Sequence, residues 1–191
     1  MSGELFALTY GCTVNMLLQD GGGVAPGASP APVARRCQEV NAQLFDMGRR
    51  IGERIVDDYL AHHPAKCTTL ESSVDATRNA MKHFLSVSDM QVRKEPLSQD
   101  EPAVPKEGPG SQRKRATERF VLSFGTTPLQ GFAELPSGEE ARELRENLWY
   151  SNVLCGVIQT ALSLVGKNVT VAFRRCMLRG DTENEIVIVP A

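Results

Sequence analysis

Apolar residues recur every three or four positions in four segments of the chain, the spacing that places them on one face of an α-helix. The segments are 5–17, 40–60, 68–85 and 148–165. The third opens with a capping signature, Thr68 followed three residues later by Glu71. We therefore predict four main helices. The second carries the stripe Val40, Leu44, Met47, Ile51, Ile55 and Tyr59, with charged residues mostly opposite.

The fourth segment, LWYSNVLCGVIQTALSLV, is apolar on nearly every side. Its length is close to the minimum for crossing a bilayer, but two side-chain amides and a glycine argue against a membrane span. We predict a buried helix of a soluble fold, in which close packing or a partner accounts for a narrow polar stripe. The stripe consists of Asn152, Gly156, Gln159 and Ser163.

Three shorter segments have the alternation or the β-branched content of strands, namely 120–124, 169–178 and 186–189. Gly180 and Asp181 are turn residues between the last two, which we predict to form a hairpin. Together the strands indicate a small antiparallel sheet beside the helices.

Two stretches, 21–34 and 91–118, are rich in glycine, proline or charge and have almost no apolar periodicity. Such compositions cannot bury enough apolar area to offset the entropy of ordering. A chain of 191 residues with 41% hydrophobic content can bury one good core. We predict a single domain over 1–191 with two disordered inserts.

Charge and cysteine content narrow the cellular setting. A net charge of −2 and an isoelectric point near 6.0 give no electrostatic reason for a nucleic-acid partner. The five cysteines are widely spaced and form no C-x-x-C pair, which fits neither a disulfide framework nor a zinc ribbon. The first residues lack the basic region of a signal peptide. We expect a cytoplasmic protein with no metal site.

Gly48 and Gly52 lie four residues apart in the second helix and leave a shallow notch on or beside its apolar face. A glycine inside a helix costs about 1 kcal/mol relative to alanine, so two of them suggest close approach of a neighbouring backbone. The alternative is a pair of tolerated glycines without a packing role.

Cys67 stands just outside the predicted start of the third helix and follows Lys66. A helix N-terminus and an adjacent cation both favour the thiolate, the nucleophilic form of cysteine. The position therefore suits acylation, although an inert, partly buried cysteine is the more common reading of such a residue.

Catalytic motifs give no support to an enzyme. The sequence has no nucleophile elbow, P-loop or glycine-rich dinucleotide turn. We assign no catalytic residue. A cysteine-dependent acyl transferase would need a general base, for which His62 and His63 are the nearest candidates in sequence.

Several motifs resemble the third small subunit of the transport protein particle, TRAPP. They are SGELFALTYG, DMGRRIGERIVDDYLA, the Lys66-Cys67 step, Thr127-Pro128-Leu129, FAELP and YSNVLCGVIQTAL. They keep their order over nearly the whole chain, and only the two low-complexity stretches fall outside the resemblance. It implies an α+β fold with about four main helices on one side of a small, twisted antiparallel sheet.

The resemblance also implies a long acyl chain, such as palmitate, on Cys67, threaded into an apolar tunnel between helices. Lys66, where the family usually has arginine, would support acylation. Met81 is bulkier than the small residue usual at its position and could narrow the tunnel. Tunnel or core candidates are Leu70, Val74, Met81, Cys155 and Gly156.

By the same resemblance, the protein is a non-enzymatic core subunit of a vesicle-tethering complex in ER-to-Golgi transport. It would form dimers with itself or a sister small subunit and contribute scaffold surface to nucleotide exchange on a Rab GTPase. Its expected location is peripheral, at the cis-Golgi and endoplasmic reticulum. The alternative is a stand-alone regulatory domain that binds a hydrophobic small molecule in the tunnel.

Overall fold

The structure is a computed structural model that describes residues 3–20, 30–63, 67–87, 89–97, 118–125 and 127–191. The helices are α1 (Gly3–Gln19), α2 (Pro30–His62), α3 (Leu70–Leu85), α4 (Arg142–Asn147) and α5 (Val153–Leu164). The strands are β1 (Gln91–Pro96), β2 (Glu118–Phe124), β3 (Val169–Arg175) and β4 (Asn184–Pro190). Short 3₁₀ turns at Glu139–Ala141 and Met177–Arg179 complete the elements.

The four strands form one antiparallel sheet in the order β1-β2-β4-β3. Successive side chains of a strand point to opposite faces. One face presents Leu122, Ile186 and Ile188, all fully buried, to a core shared with the helices. The predicted α+β class is therefore confirmed, and so is the β3–β4 hairpin.

Two boundaries of the predicted inserts are wrong. Helix α2 begins at Pro30 because prolines are tolerated in the first turn of a helix. Val33 and Cys37 continue the buried stripe that leads to Val40. Residues 91–96 form β1 rather than a disordered segment, because pairing with β2 supplies the order that their polar composition does not. Residues 21–29 and 98–117 lie outside the described residues.

Two further differences concern the segment that leads into the fourth predicted helix. The fourth predicted helix begins at Val153, since residues 148–152 form a turn that α2 holds. Asn41 of α2 donates to the Asn147 carbonyl (2.8 Å) and accepts from the Trp149 backbone N–H (2.8 Å). Asn152 donates to the Asn41 carbonyl (2.8 Å). The short α4, just before this turn, had no counterpart in the predicted elements.

Helices α2 and α5 run in the same direction and touch backbone to backbone through glycines, which confirms the predicted close approach. A Cβ at Gly48 would lie 2.0 Å from the Val153 carbonyl oxygen. One at Gly156 would lie 2.0 Å from the Phe45 carbonyl oxygen, and one at Gly52 would lie 2.8 Å from the Val157 carbonyl oxygen.

The polar stripe of the fourth predicted helix is largely explained by contacts within the chain. Asn152 and Gly156 face α2. Gln159, one turn further along, accepts a hydrogen bond from the Val171 backbone N–H of the edge strand β3 (3.1 Å). Ser163 is exposed. The stripe is therefore mostly a packing feature of the core.

Ion pairs cover the outer face of the sheet. Glu185 is fully buried and pairs with Arg174 (2.7 Å) and with Arg93. Glu95 of β1 pairs with Arg174 (2.8 Å) and Arg119 (3.2 Å). Hydrogen bonds from Arg174 lower the pKa of Glu185, and those from Arg174 and Arg119 lower that of Glu95 to about 2. This layer lies over the side of the sheet to which the fully buried Val121 points.

Replacing Gly48 with alanine tests the helix contact. Helix propensity alone would stabilise the variant by about 1 kcal/mol. Because the new Cβ would overlap the Val153 carbonyl, we expect a net loss of about 2 kcal/mol in denaturant unfolding. Gly131→Ala, whose Cβ would meet only an ordinary contact at 3.6 Å, is the control. A Gly48→Ala protein as stable as the wild type would refute the contact.

The ion-pair layer predicts acid sensitivity. The pKa of Glu95 lies below its ordinary 4.5 in the folded state, so its contribution is complete above about pH 4.5 and is lost as the pH falls toward 2. Glu95→Gln should lower the free energy of unfolding by about 2 kcal/mol at neutral pH. Its melting temperature should also fall less steeply than that of the wild type as the pH is lowered from about 4.5 toward 2. Glu53→Gln, at an exposed site on α2, should do neither. An unchanged acid profile in Glu95→Gln would contradict the prediction.

Candidate functional site

Cys67 lies two residues before the N-cap of α3. The cap is Thr69, whose hydroxyl accepts from the Ser72 backbone N–H (3.1 Å), and the Ser72 hydroxyl accepts in return from the Thr69 backbone N–H (3.1 Å). The predicted capping pair, Thr68 with Glu71, was therefore wrong by one residue. Cys67 therefore lies one residue farther from the start of α3 than the sequence suggested.

A lysine from a distant part of the chain approaches the Cys67 segment. Lys167 follows α5, and its ammonium group donates to the Thr68 carbonyl (2.8 Å). This contact ties the residue next to Cys67 to the loop between α5 and β3. Sequence reasoning missed Lys167 because 99 positions separate it from Thr68. Lys66, the predicted supporting cation, lies outside the described residues.

The predicted core and tunnel candidates divide into two groups. Val74, Met81 and Cys155 have no accessible surface and belong to one apolar core, against which the half-buried Leu70 packs. Gly156 belongs instead to the contact with α2. Leu70, Val74 and Met81 share the inner face of α3, which begins three residues after Cys67. A chain attached at Cys67 would thus start beside an apolar helix face.

The polar residues on that inner face are satisfied within the helix. Thr77 donates its hydroxyl to the Ser73 carbonyl (2.9 Å), and Ser73 donates to the Thr69 carbonyl (2.8 Å). Both side chains are buried. Because their polar atoms are turned to the backbone of α3, they leave the helix face compatible with apolar neighbours.

The two histidines considered as general bases have other partners. His63 stacks on Tyr59, with ring centroids 4.6 Å apart, and contacts the edge of His83. His62 Nδ1 lies 2.8 Å from the Asp58 carbonyl oxygen. Among the residues that the structure describes, neither imidazole hydrogen-bonds the Cys67 thiol. Within the part of the chain that the structure describes, neither histidine is placed as the general base that a cysteine hydrolase needs.

Within the described ranges no group of three histidine, cysteine or acidic side chains is arranged to hold a metal ion. The helices described are all too short or too polar to cross a bilayer.

The arrangement of helices and sheet agrees with comparisons to known proteins. A family model described as "Transport protein particle (TRAPP) component" matches residues 6–189. The chain belongs to the TRAPP component family.

Relatives support this assignment. The chain is 32% identical to the transport protein particle subunit bet3 of Schizosaccharomyces pombe, over 97% of this chain and 82% of that protein. Against the trafficking protein particle complex subunit BET3 of Saccharomyces cerevisiae it is 32% identical over 97% of this chain and 78% of the relative. These relatives are subunits of a trafficking complex, and the predicted resemblance to TRAPP is confirmed.

A solved structure gives the same result for the fold. The chain is similar to a trafficking protein particle complex subunit 3 from Naegleria fowleri, with a TM-score of 0.69 and 26% identity. The match covers 99% of this chain and 95% of that one. The Naegleria protein was crystallised covalently bound to palmitic acid.

Proposed function

We propose that this TRAPP-family chain is a non-enzymatic core subunit of a vesicle-tethering complex in ER-to-Golgi transport. It pairs with itself or a sister small subunit and carries a long acyl chain on Cys67. Exchange of nucleotide on a Rab GTPase belongs to the assembled complex, to which this chain contributes scaffold surface. The peripheral location at the cis-Golgi and endoplasmic reticulum follows from that role.

The observation that carries the assembly proposal is an apolar stripe left exposed on α1. Leu5, Leu8 and Met16 are 57%, 52% and 61% exposed, and the exposed Cys12 lies between them. Their spacing places them on one face of the helix. Tyr10 and other buried residues on the opposite face pack into the core. Such a stripe is typical of a helix that a partner protein covers.

The acyl proposal rests on the position of Cys67. The residue is half-buried, the inner face of α3 follows it directly, and the similar Naegleria protein binds palmitic acid covalently. Burying about fourteen methylenes would contribute on the order of 10 kcal/mol. Met81 fills part of the core beneath α3, and its flexible side chain can change rotamer to admit a chain.

Pairing through α1 is tested with Leu8→Glu and Met16→Glu together. Two charges in an apolar interface are strongly unfavourable, so we expect the double variant to lose sister subunits in affinity purification from its own cells. Leu164→Glu, 53% exposed on α5, should keep them.

Recovery of no sister small subunit with the wild-type chain would end the proposal. Where the subunits are recovered, the purified complex should accelerate nucleotide release from its Rab GTPase, and the chain alone should not.

Acylation is tested by mass spectrometry on protein from native cells. We expect a hydroxylamine-sensitive mass increase that maps to the peptide containing Cys67 and is absent from Cys67→Ser. Because Lys167 holds the Thr68 carbonyl next to Cys67, Lys167→Met should release this segment and reduce the acylated fraction several-fold, and Lys82→Met should not. A ligand released by denaturation without hydroxylamine would instead support the stand-alone sensor.

A further inference from the structure

A groove rich in arginine lies at the end of the molecule formed by α4 and the turn between β3 and β4. It encloses about 400 Å³. We call it the basic groove and define it by Arg142, Arg145, Arg179, Leu135, Met177 and Leu178. Glu146 and Gly180 complete the lining. Neither Cys67 nor the apolar stripe of α1 belongs to it.

The groove has positive charge on a chain whose net charge is negative. Three arginines and one glutamate line it, a local excess of two positive charges, whereas the whole chain carries −2. All three guanidinium groups act on the one carboxylate. Hydrogen bonding from Arg142, with further charge effects from Arg179 and Arg145, lowers the pKa of Glu146.

A ring contact, a hydrogen bond or an ion pair holds each of the three guanidinium groups in place. Arg179 lies over the Trp149 ring, 3.8 Å from the centroid, and Trp149 stacks on Phe173. Arg145 donates to the Gly138 carbonyl (3.2 Å). Arg142 pairs with Glu146 (2.8 Å) and, just outside the lining, with Glu139 (3.3 Å).

A guanidinium has five N–H donors, and these contacts engage only some of them. The remaining donors are pre-positioned, so a bound anion would meet them at little entropic cost.

We propose that the basic groove binds an acidic peptide segment of a partner protein, with carboxylates at the arginines and an apolar side chain against Leu135, Met177 and Leu178.

The apolar part of the lining distinguishes this ligand from a phosphate. Three of the eight lining residues are leucine or methionine, and they offer nothing to a small inorganic anion. Phe132, 61% exposed, lies three residues before Leu135 and therefore within about 10 Å of it. Arginine, methionine and aromatic residues together are the side chains enriched at protein interfaces. The volume suits a few peptide side chains.

The test begins with a library of random peptides displayed on phage and selected on the purified full chain. We expect the enriched peptides to carry two or more acidic residues next to a large apolar one. A dye-labelled enriched peptide is then titrated against wild-type protein and against R142Q/R145Q in fluorescence anisotropy. Because two charge-assisted pairs are removed, binding should weaken at least about tenfold.

The matched control is R35Q/R50Q on α2, where both side chains are more than four-fifths exposed. It changes the net charge by the same amount and should alter binding by less than about twofold. Arg142→Lys keeps the charge but loses the planar fork, and it should give an intermediate loss. Melting curves establish that each variant is folded.

Three results would overturn the proposal. The enriched peptides could lack acidic residues, or the groove and control variants could weaken binding equally. Inorganic phosphate could also displace the peptide far better than chloride at equal ionic strength, which would indicate a small-anion site. None of these results bears on pairing through α1 or on Cys67, so the proposed function would stand or fall separately.

Discussion

The direct contact between the backbones of α2 and α5 is the constraint on which the other elements depend. Side chains normally keep helix axes 8–10 Å apart, but Gly48 and Gly156 remove that spacing at the crossing point. Helix α2 has 33 residues and is therefore about 50 Å long. Along this length it also contacts α1, α3 and α4. Fixing α5 against it fixes the sheet, since Gln159 of α5 binds the edge strand β3.

The two faces of the sheet are protected by different means. The inner face packs on helices, as expected for an antiparallel sheet with one apolar side. The outer face relies on guanidinium groups that bridge strands distant in sequence, because Arg174 of β3 reaches both Glu185 of β4 and Glu95 of β1. Long charged side chains cover apolar surface with their methylene stems. Among the described residues, this face is therefore covered by side chains and not by a second layer of helices.

Sequence periodicity predicted the helices and strands that are stabilised by burial of their own apolar faces. Helices α1 and α3 and strands β2 to β4 follow the periodicity of their own residues, because each has an apolar face to bury. Strand β1 could not be found in this way, since only Val92 and Pro96 among its six residues are apolar and its order comes from pairing with β2. The first turns of α2 were missed because proline and small residues there resemble a linker.

The candidate site, too, depends partly on local residues and partly on contacts between distant segments. From the neighbouring residues alone, an inert thiol was the more common interpretation of Cys67. The resemblance to a family was needed to select Cys67 as the acylation site. The contact of Lys167 with Thr68 has no sequence signature at all, because nothing in either segment specifies the other. Only the folded chain brings the loop after α5 to the start of α3.

The five cysteines differ in accessibility and surroundings, and these differences support the proposal that Cys67 is the acylated one. Burial raises the pKa of Cys37 to about 11 and raises those of Cys155 and Cys176, so these thiols are protonated and inaccessible. Cys12 is exposed but lies within the apolar stripe of α1, where a partner would cover it. Cys67 alone combines access from solvent with an apolar helix face beside it. An acyl chain attached there would start beside that face, and its burial would add to what holds α3 in place.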